Sequence, residues 1–143
     1  MNVVDANVLL YAVNADADRH DESRDWLDSA LAGAETVGFS WISTLAFIRL
    51  ATKPGLFSQP LPVADALQQI AEWTAQPGAT MAEPTARHLA VLGDLLRSVG
   101  TGGNLINDAH LAALAIEHRG AVVSYDTDFD RFPGVAWRRP SAP

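Results

Sequence analysis

Short apolar runs alternate along this chain with longer stretches whose apolar residues recur three and four positions apart. Val3-Val4 reads as a strand that ends at Asp5. From Asp21, the stretch DESRDWLDSALAG sets Trp26, Leu27, Ala30 and Leu31 at helical spacing and stops at Gly33. Residues 36–39 read as a second strand. Residues 41–52 read as a helix carrying Ile42, Leu45 and Ile48, ended by Pro54-Gly55. Pro62 suits the first turn of the next helix, with Leu67, Ile70 and Trp73 apolar, which Pro77-Gly78 ends. A third strand is expected over 79–81. Thr85 then caps a helix to about Ser98, a glycine loop follows at 100–103, and Asn104 caps a helix that Gly120 closes. Residues 121–124 and 135–137 complete the pattern as a fourth and a fifth strand.

Strand and helix alternate over the whole length without repeat or linker. That order predicts a three-layer α/β/α sandwich around a four- to five-stranded parallel sheet. Residues 1–140 are expected to form one domain, and 141–143 a short tail.

In such sheets the chemistry lies at the carboxyl ends of the strands. Asp5 ends the first strand, Asp126 follows the fourth, and Asp108 opens a helix entered from the glycine loop. Topology therefore brings three acids from distant parts of the chain to one edge, with Asp128 and Asp130 close behind. Each alone has a plainer reading: a turn or cap for Asp5, a helix-dipole partner for Asp108, a solvated turn for 126–130. Together they would repel unless a cation neutralised them. Oxygen donors without Cys or paired His favour Mg²⁺, or Mn²⁺, over zinc. His20, His88, His110 and His118 make no zinc pair on one face and read as structural or surface residues. If the chain after Asp126 stays extended, Asp126 and Asp128 point to one side and Phe129 into the core. Asp130 would turn away toward Pro133-Gly134.

The 143 residues are 48% hydrophobic and 19% charged, sufficient for a packed core. No run approaches the ~20 apolar residues of a membrane span. No basic segment precedes the apolar start, so a cleaved signal peptide is not expected. The sequence has no Cys, which excludes disulfides, thiolate zinc sites and Cys nucleophiles. It fits a reducing cytoplasm, the expected location. A net charge of −7 argues against a general nucleic-acid coat, whose phosphate contacts need clustered Lys and Arg. It does not argue against a nuclease whose metal site is itself built of carboxylates.

Four stretches carry a family resemblance: VVDANVLLYA at 3–12, WISTLAFIRLATKP at 41–54, GNLINDAHLAALAIEHRGAVVSYDTDF at 103–129, and FPGVAWRRP at 132–140. In this order the chain resembles the PIN-domain ribonucleases, most of all the VapC toxins of bacterial toxin–antitoxin pairs. The last two stretches resemble a subgroup abundant in mycobacteria. The family's acids fall on Asp5, Asp108 and Asp126, with a neighbouring acid on Asp128. Asn7 and Ser124 match its supporting polar residues. The family usually carries one more acid, a Glu before an aromatic residue and an Arg. In Leu45-Ala46-Phe47-Ile48-Arg49 that position is Ala46, and the neighbouring Ser43 and Thr44 are neutral.

The resemblance implies a Mg²⁺-dependent endoribonuclease toxin of a type II system acting on structured RNA, either tRNA or rRNA. Asp5 and Asp108 would be the main metal contacts, and Asp126 and Asp128 would position water or a second, weaker metal. Arg49, Lys53, Arg131, Arg138 and Arg139 are candidates for RNA phosphate contacts. The family's habits imply a homodimer and a small VapB-type antitoxin laid over the acidic site. Exposed apolar surface is then expected around helices 21–33 and 41–52. The alternative raised by Ala46 is a catalytically weak PIN protein that binds antitoxin or RNA. A phosphatase of similar architecture would want a second Asp where Asn7 stands.

Overall fold

The computed structural model describes residues 1–141, so all of the expected tail but Ser141 lies outside the described residues. Five strands, β1 (Asn2–Val4), β2 (Val37–Phe39), β3 (Ala79–Met81), β4 (Ala121–Val123) and β5 (Trp137–Arg138), form one sheet. Every pairing is parallel and the strand order is β3-β2-β1-β4-β5. Strand order therefore reverses beside β1: the chain runs outward through β2 and β3, then returns to place β4 on the other flank. The crevice between the carboxyl ends of β1 and β4 is the switch point, where open α/β sheets bind ligands.

Among the described residues six α-helices cover the sheet: α1 (Ala6–Val13), α2 (His20–Ser29), α3 (Trp41–Ala51), α4 (Val63–Thr74), α5 (His88–Val99) and α6 (Ile106–Glu117). Successive strand residues face opposite sides. Val4 and Val123 pack with Leu9, Trp26, Phe47 and Trp73 from α1 to α4. Val3 and Val122 pack with Ala109, Ala112, Ala113 and Leu114 of α6 and with Leu95 of α5. The alanines let α6 lie close on the sheet. Gly120, where α6 turns into β4, admits no side chain, because a Cβ there would stand 1.8 Å from the Met1 carbonyl oxygen.

Most expected elements are present within a residue or two, and the departures have local causes. The sequence pattern predicts no element between Asp5 and Asp21, yet α1 starts at Ala6. Its Val8, Leu9, Leu10 and Ala12 are all buried, and this short, nearly unbroken apolar run follows straight on the strand, so the pattern does not show where strand gives way to helix. Asn104 does not cap α6 but sits in a single 3-10 turn, Gly103–Leu105, ahead of it. β5 is Trp137–Arg138 rather than 135–137, because an edge strand pairs where β4 offers partners, here Val122 and Val123. Leu67 is 51% exposed and does not join the core of α4. The expected apolar surface is present on α3, where Trp41 and Leu45 are 58% and 59% exposed. It is absent from α2, whose Trp26 and Leu27 are fully buried.

The histidines hold elements together. His88 Nδ1 bonds the Glu117 carboxylate, and its Nε2 lies 2.9 Å from His110 Nδ1, tying α5 to α6. His20 and His118 contact the carbonyls of Tyr11 and Glu83. No helix among the described residues is long and apolar enough to cross a membrane.

Candidate metal centre

Asp5 is the N-cap of α1. Its Oδ1 accepts a hydrogen bond from the Ala6 N–H at 2.7 Å, and its Oδ2 accepts from Ser124 Oγ at 2.6 Å and Asn7 Nδ2 at 3.1 Å. Ser124, fully buried just past β4, also accepts from Asn7 Nδ2 and from the Asp126 N–H, both at 3.0 Å. Asn7 completes the bracket by accepting from the Tyr125 N–H at 3.3 Å. Asn7 and Ser124 thus lace the end of β1 to the end of β4 across the switch point and fix Asp5 in orientation.

Asp126 Oδ1 accepts from the Asp128 N–H at 2.8 Å and so caps a 3-10 helix over Thr127–Arg131. This corrects the reason expected for the pairing of Asp126 and Asp128. The chain is not extended there; a side-chain-capped turn brings the second acid round beside the first. Phe129 is fully buried. Burying a phenyl ring is worth roughly 2–3 kcal/mol, which pins the turn and with it Asp128. Asp130 is exposed and accepts from Trp137 Nε1 at 2.8 Å, away from the other acids.

Asp108, in the first turn of α6, closes the group. Single carboxylate oxygens of Asp108, Asp126 and Asp128 lie within 4.8 Å of one another. A cleft of about 350 Å³ holds them together with Asp5, and its walls come from Ile42, Ser43 and Ala46 of α3, Asn104, and Asn107 and Leu111 of α6. None of these lining residues is basic. Burial, then repulsion from Asp126, Asp5 and Asp128, pushes the Asp108 carboxyl up to about 7. Burial also raises Asp5, while its bonds from Ser124 and Ala6 pull the other way. All-oxygen donors short of positive charge fit a hard divalent cation.

The sequence places the acids but misses most of the walls. Ala46 does face the cleft, as its assigned position requires. Ser43 lies one turn before it on the same face, and that helical spacing is the signal that could find it. Asn107, directly before Asp108, carries no signal of its own. Among the basic candidates, Arg49, Lys53, Arg131 and Arg139 are exposed. Arg138 is paired with Glu35, and its guanidinium lies over the Trp26 ring.

Ser124→Ala should lower stability by about 2 kcal/mol, since it removes a donor to a carboxylate and orphans two N–H groups. Urea unfolding of the metal-free protein measures it. A midpoint like that of the native chain would mean the bracket does not hold β1 to β4.

A parallel sheet ordered this way, with carboxylates gathered at its switch point, defines a class, and sequence comparison agrees: the chain belongs to the PIN-domain family, whose model matches residues 3–135. Within that family it is 58% identical over 142 residues to Ribonuclease VapC37 of Mycobacterium tuberculosis, covering 99% of each chain. It is 35% identical over 140 residues to Ribonuclease VapC33 of the same species, covering 98% of each. Among solved structures it resembles VapBC2 from Rickettsia felis bound to a promoter DNA fragment. The TM-score is 0.67 at 19% identity, with 96% of this chain and 97% of that chain covered, a likeness of fold.

Proposed function

We propose that this protein is a Mg²⁺-dependent endoribonuclease, the toxin of a type II toxin–antitoxin pair, which cleaves structured RNA such as tRNA or rRNA. The observation that carries the reading is the set of Asp108, Asp126 and Asp128 within 4.8 Å of one another, in a cleft shared with Asp5 and lined by no basic side chain. Full-length similarity to ribonucleases supports the same activity.

Asp108 and Asp126 would hold the cation with Asp5 from the same cleft, and Asp128, whose oxygen converges with theirs, would hold its water or a second, weaker ion. When bound, Mg²⁺ or Mn²⁺ lowers the pKa of water and stabilises charge on a phosphoryl oxygen. The chain's own part is orientation. Asn7 and Ser124 keep Asp5 fixed in orientation, the Asp126 cap sets the direction of Asp128, and Asp108 is poised to give up its proton when a cation enters. Arg49, Lys53, Arg131 and Arg139 supply phosphate contacts around an otherwise acidic surface. An antitoxin of VapB type and a second copy of the chain are the proposed protein partners. The exposed Trp41 and Leu45 and the likeness to a toxin–antitoxin complex support the first. The cytoplasm, where such RNA resides, is the proposed location.

The test is cleavage rate against Mg²⁺ concentration in three variants. Asp126→Ala should be severe and only partly restored by added Mg²⁺, Asp128→Ala partial, and Asp130→Ala near neutral. Equal, negligible effects would reduce the 126–130 segment to a solvated turn. Ala46 favours one other reading, a PIN protein that binds RNA or antitoxin with little turnover. RNA binding without cleavage at any divalent concentration would establish it.

A further inference from the structure

We propose that Ser43 is the contribution of α3 to the cation site, its hydroxyl turning into the cleft to hold the ion's hydration shell where residue 46 offers no carboxylate. The inference rests on the metal reading above.

Ser43 lines the cleft and is 2% exposed, yet its Oγ has no hydrogen-bond partner. A buried unpaired hydroxyl costs about 1–3 kcal/mol. The usual remedy on a helix is a bond to the carbonyl four residues back. Thr52 takes it with the Ile48 carbonyl at 2.7 Å, and Thr74 with the Ile70 carbonyl at 2.9 Å. Ser43 does not. It stands in the first turn of α3, just after the Ser40 cap, so the residue four before it, Phe39, belongs to β2 rather than to the helix, and the Phe39 carbonyl instead accepts the Ala82 N–H at 2.8 Å. Capping does not use the hydroxyl either, for Ser40 Oγ accepts from the backbone N–H of Ser43. The Ser43 hydroxyl is thus left without a protein partner at the wall of a cleft rich in carboxylates.

Its neighbour provides an internal comparison. Thr44 is equally buried and its Oγ1 is also unpaired, but it does not line the cleft. An unpaired hydroxyl can therefore be tolerated on this helix for packing alone, and what separates Ser43 is its place. A neutral oxygen on the cleft wall suits an ion such as Mg²⁺, which keeps several waters and needs hydrogen-bond partners for them.

The experiment compares Ser43→Ala and Thr44→Val by Mn²⁺ titration calorimetry and by thermal melting with and without Mn²⁺, with Asp108→Asn as the control. Both substitutions should leave the metal-free melting temperature unchanged or higher, because each removes an unpaired polar group. Ser43→Ala alone should weaken Mn²⁺ binding, roughly tenfold, at the low end for a group acting from outside the ligand set. It should also shrink the rise in melting temperature that Mn²⁺ produces. Native-like Mn²⁺ affinity in Ser43→Ala overturns the assignment, as does an equal loss in Thr44→Val, which would trace the effect to the packing of α3. The control separates the two readings. If Asp108→Asn loses Mn²⁺ while Ser43→Ala keeps it, only the Ser43 assignment falls; if Asp108→Asn binds like the native chain, the metal site itself falls.

Discussion

Asp108→Asn is expected to abolish divalent-dependent RNA cleavage and, in the same protein, to raise the melting temperature without metal. The two effects have one cause. Asp108 sits among Asp5, Asp126 and Asp128 in a cleft lined by no base, and its carboxyl is raised to about 7 against an ordinary value of 3.8. The folded chain therefore holds a proton that the unfolded chain has already released. Between about pH 4 and pH 7 the contribution of Asp108 to the stability of the metal-free protein falls as pH rises, because over that window the folded state holds the extra proton. Asn removes the charge and flattens this contribution. Melting curves from pH 4 to pH 8 for both proteins, with cleavage assays at saturating Mg²⁺, test both effects together. Full activity in Asp108→Asn would sink the site assignment. An unchanged pH dependence would mean the repulsion is relieved by some other route.

Ala46→Glu should act in the opposite sense. Residue 46 faces the cleft, so a glutamate there adds a further carboxylate to a group already short of counter-charge. The metal-free protein should melt lower, and divalent binding should tighten by on the order of tenfold, as an added anionic oxygen ligand raises affinity for a hard cation. Calorimetry with Mn²⁺ measures the second effect directly. Unchanged affinity would show that the longer side chain escapes to solvent past Ile42, and that the helix position does not substitute for the family's acid. Higher cleavage activity together with tighter binding would identify the native Ala46 as a brake on turnover.

The acids are legible in the sequence because topology alone sends strand ends and helix starts to one edge. Asp5, Asp108 and Asp126 lie where that rule puts them, and the alternation of elements carries the layer order with it. What the sequence conceals are features decided by neighbours. The α1 helix is a short, nearly unbroken apolar run straight after a strand, which pattern alone does not divide. Asp128 joins the group through a capped turn that no periodicity announces. Leu67 and Trp26 show helical spacing alike, yet one faces solvent and the other the core, a choice made by which elements pack against each helix. Arg138 reads as free as Arg139 until the fold brings Glu35 beside it. Ser43 looks inert because a neutral hydroxyl carries no charge signal; its unpaired state emerges only once the helix is seen to start at Trp41, leaving the residue four before it in a strand.

The place of β4 beside β1 also sets a timetable. A ribosome delivers this chain from its first strand, and β1, β2 and β3 can associate with their helices before β4 exists. Asp5 is present from the outset and Asp108 follows, but Ser124, Asp126 and Asp128 all arrive after the whole of α6. Until β4 slides in against β1, Asp5 lacks the hydroxyl that orients it and the cleft lacks its far wall. A nascent or truncated chain that stops short of Ala121 is therefore an incomplete nuclease by construction, whatever its abundance. The activity therefore waits on synthesis and folding of the segment through Asp128.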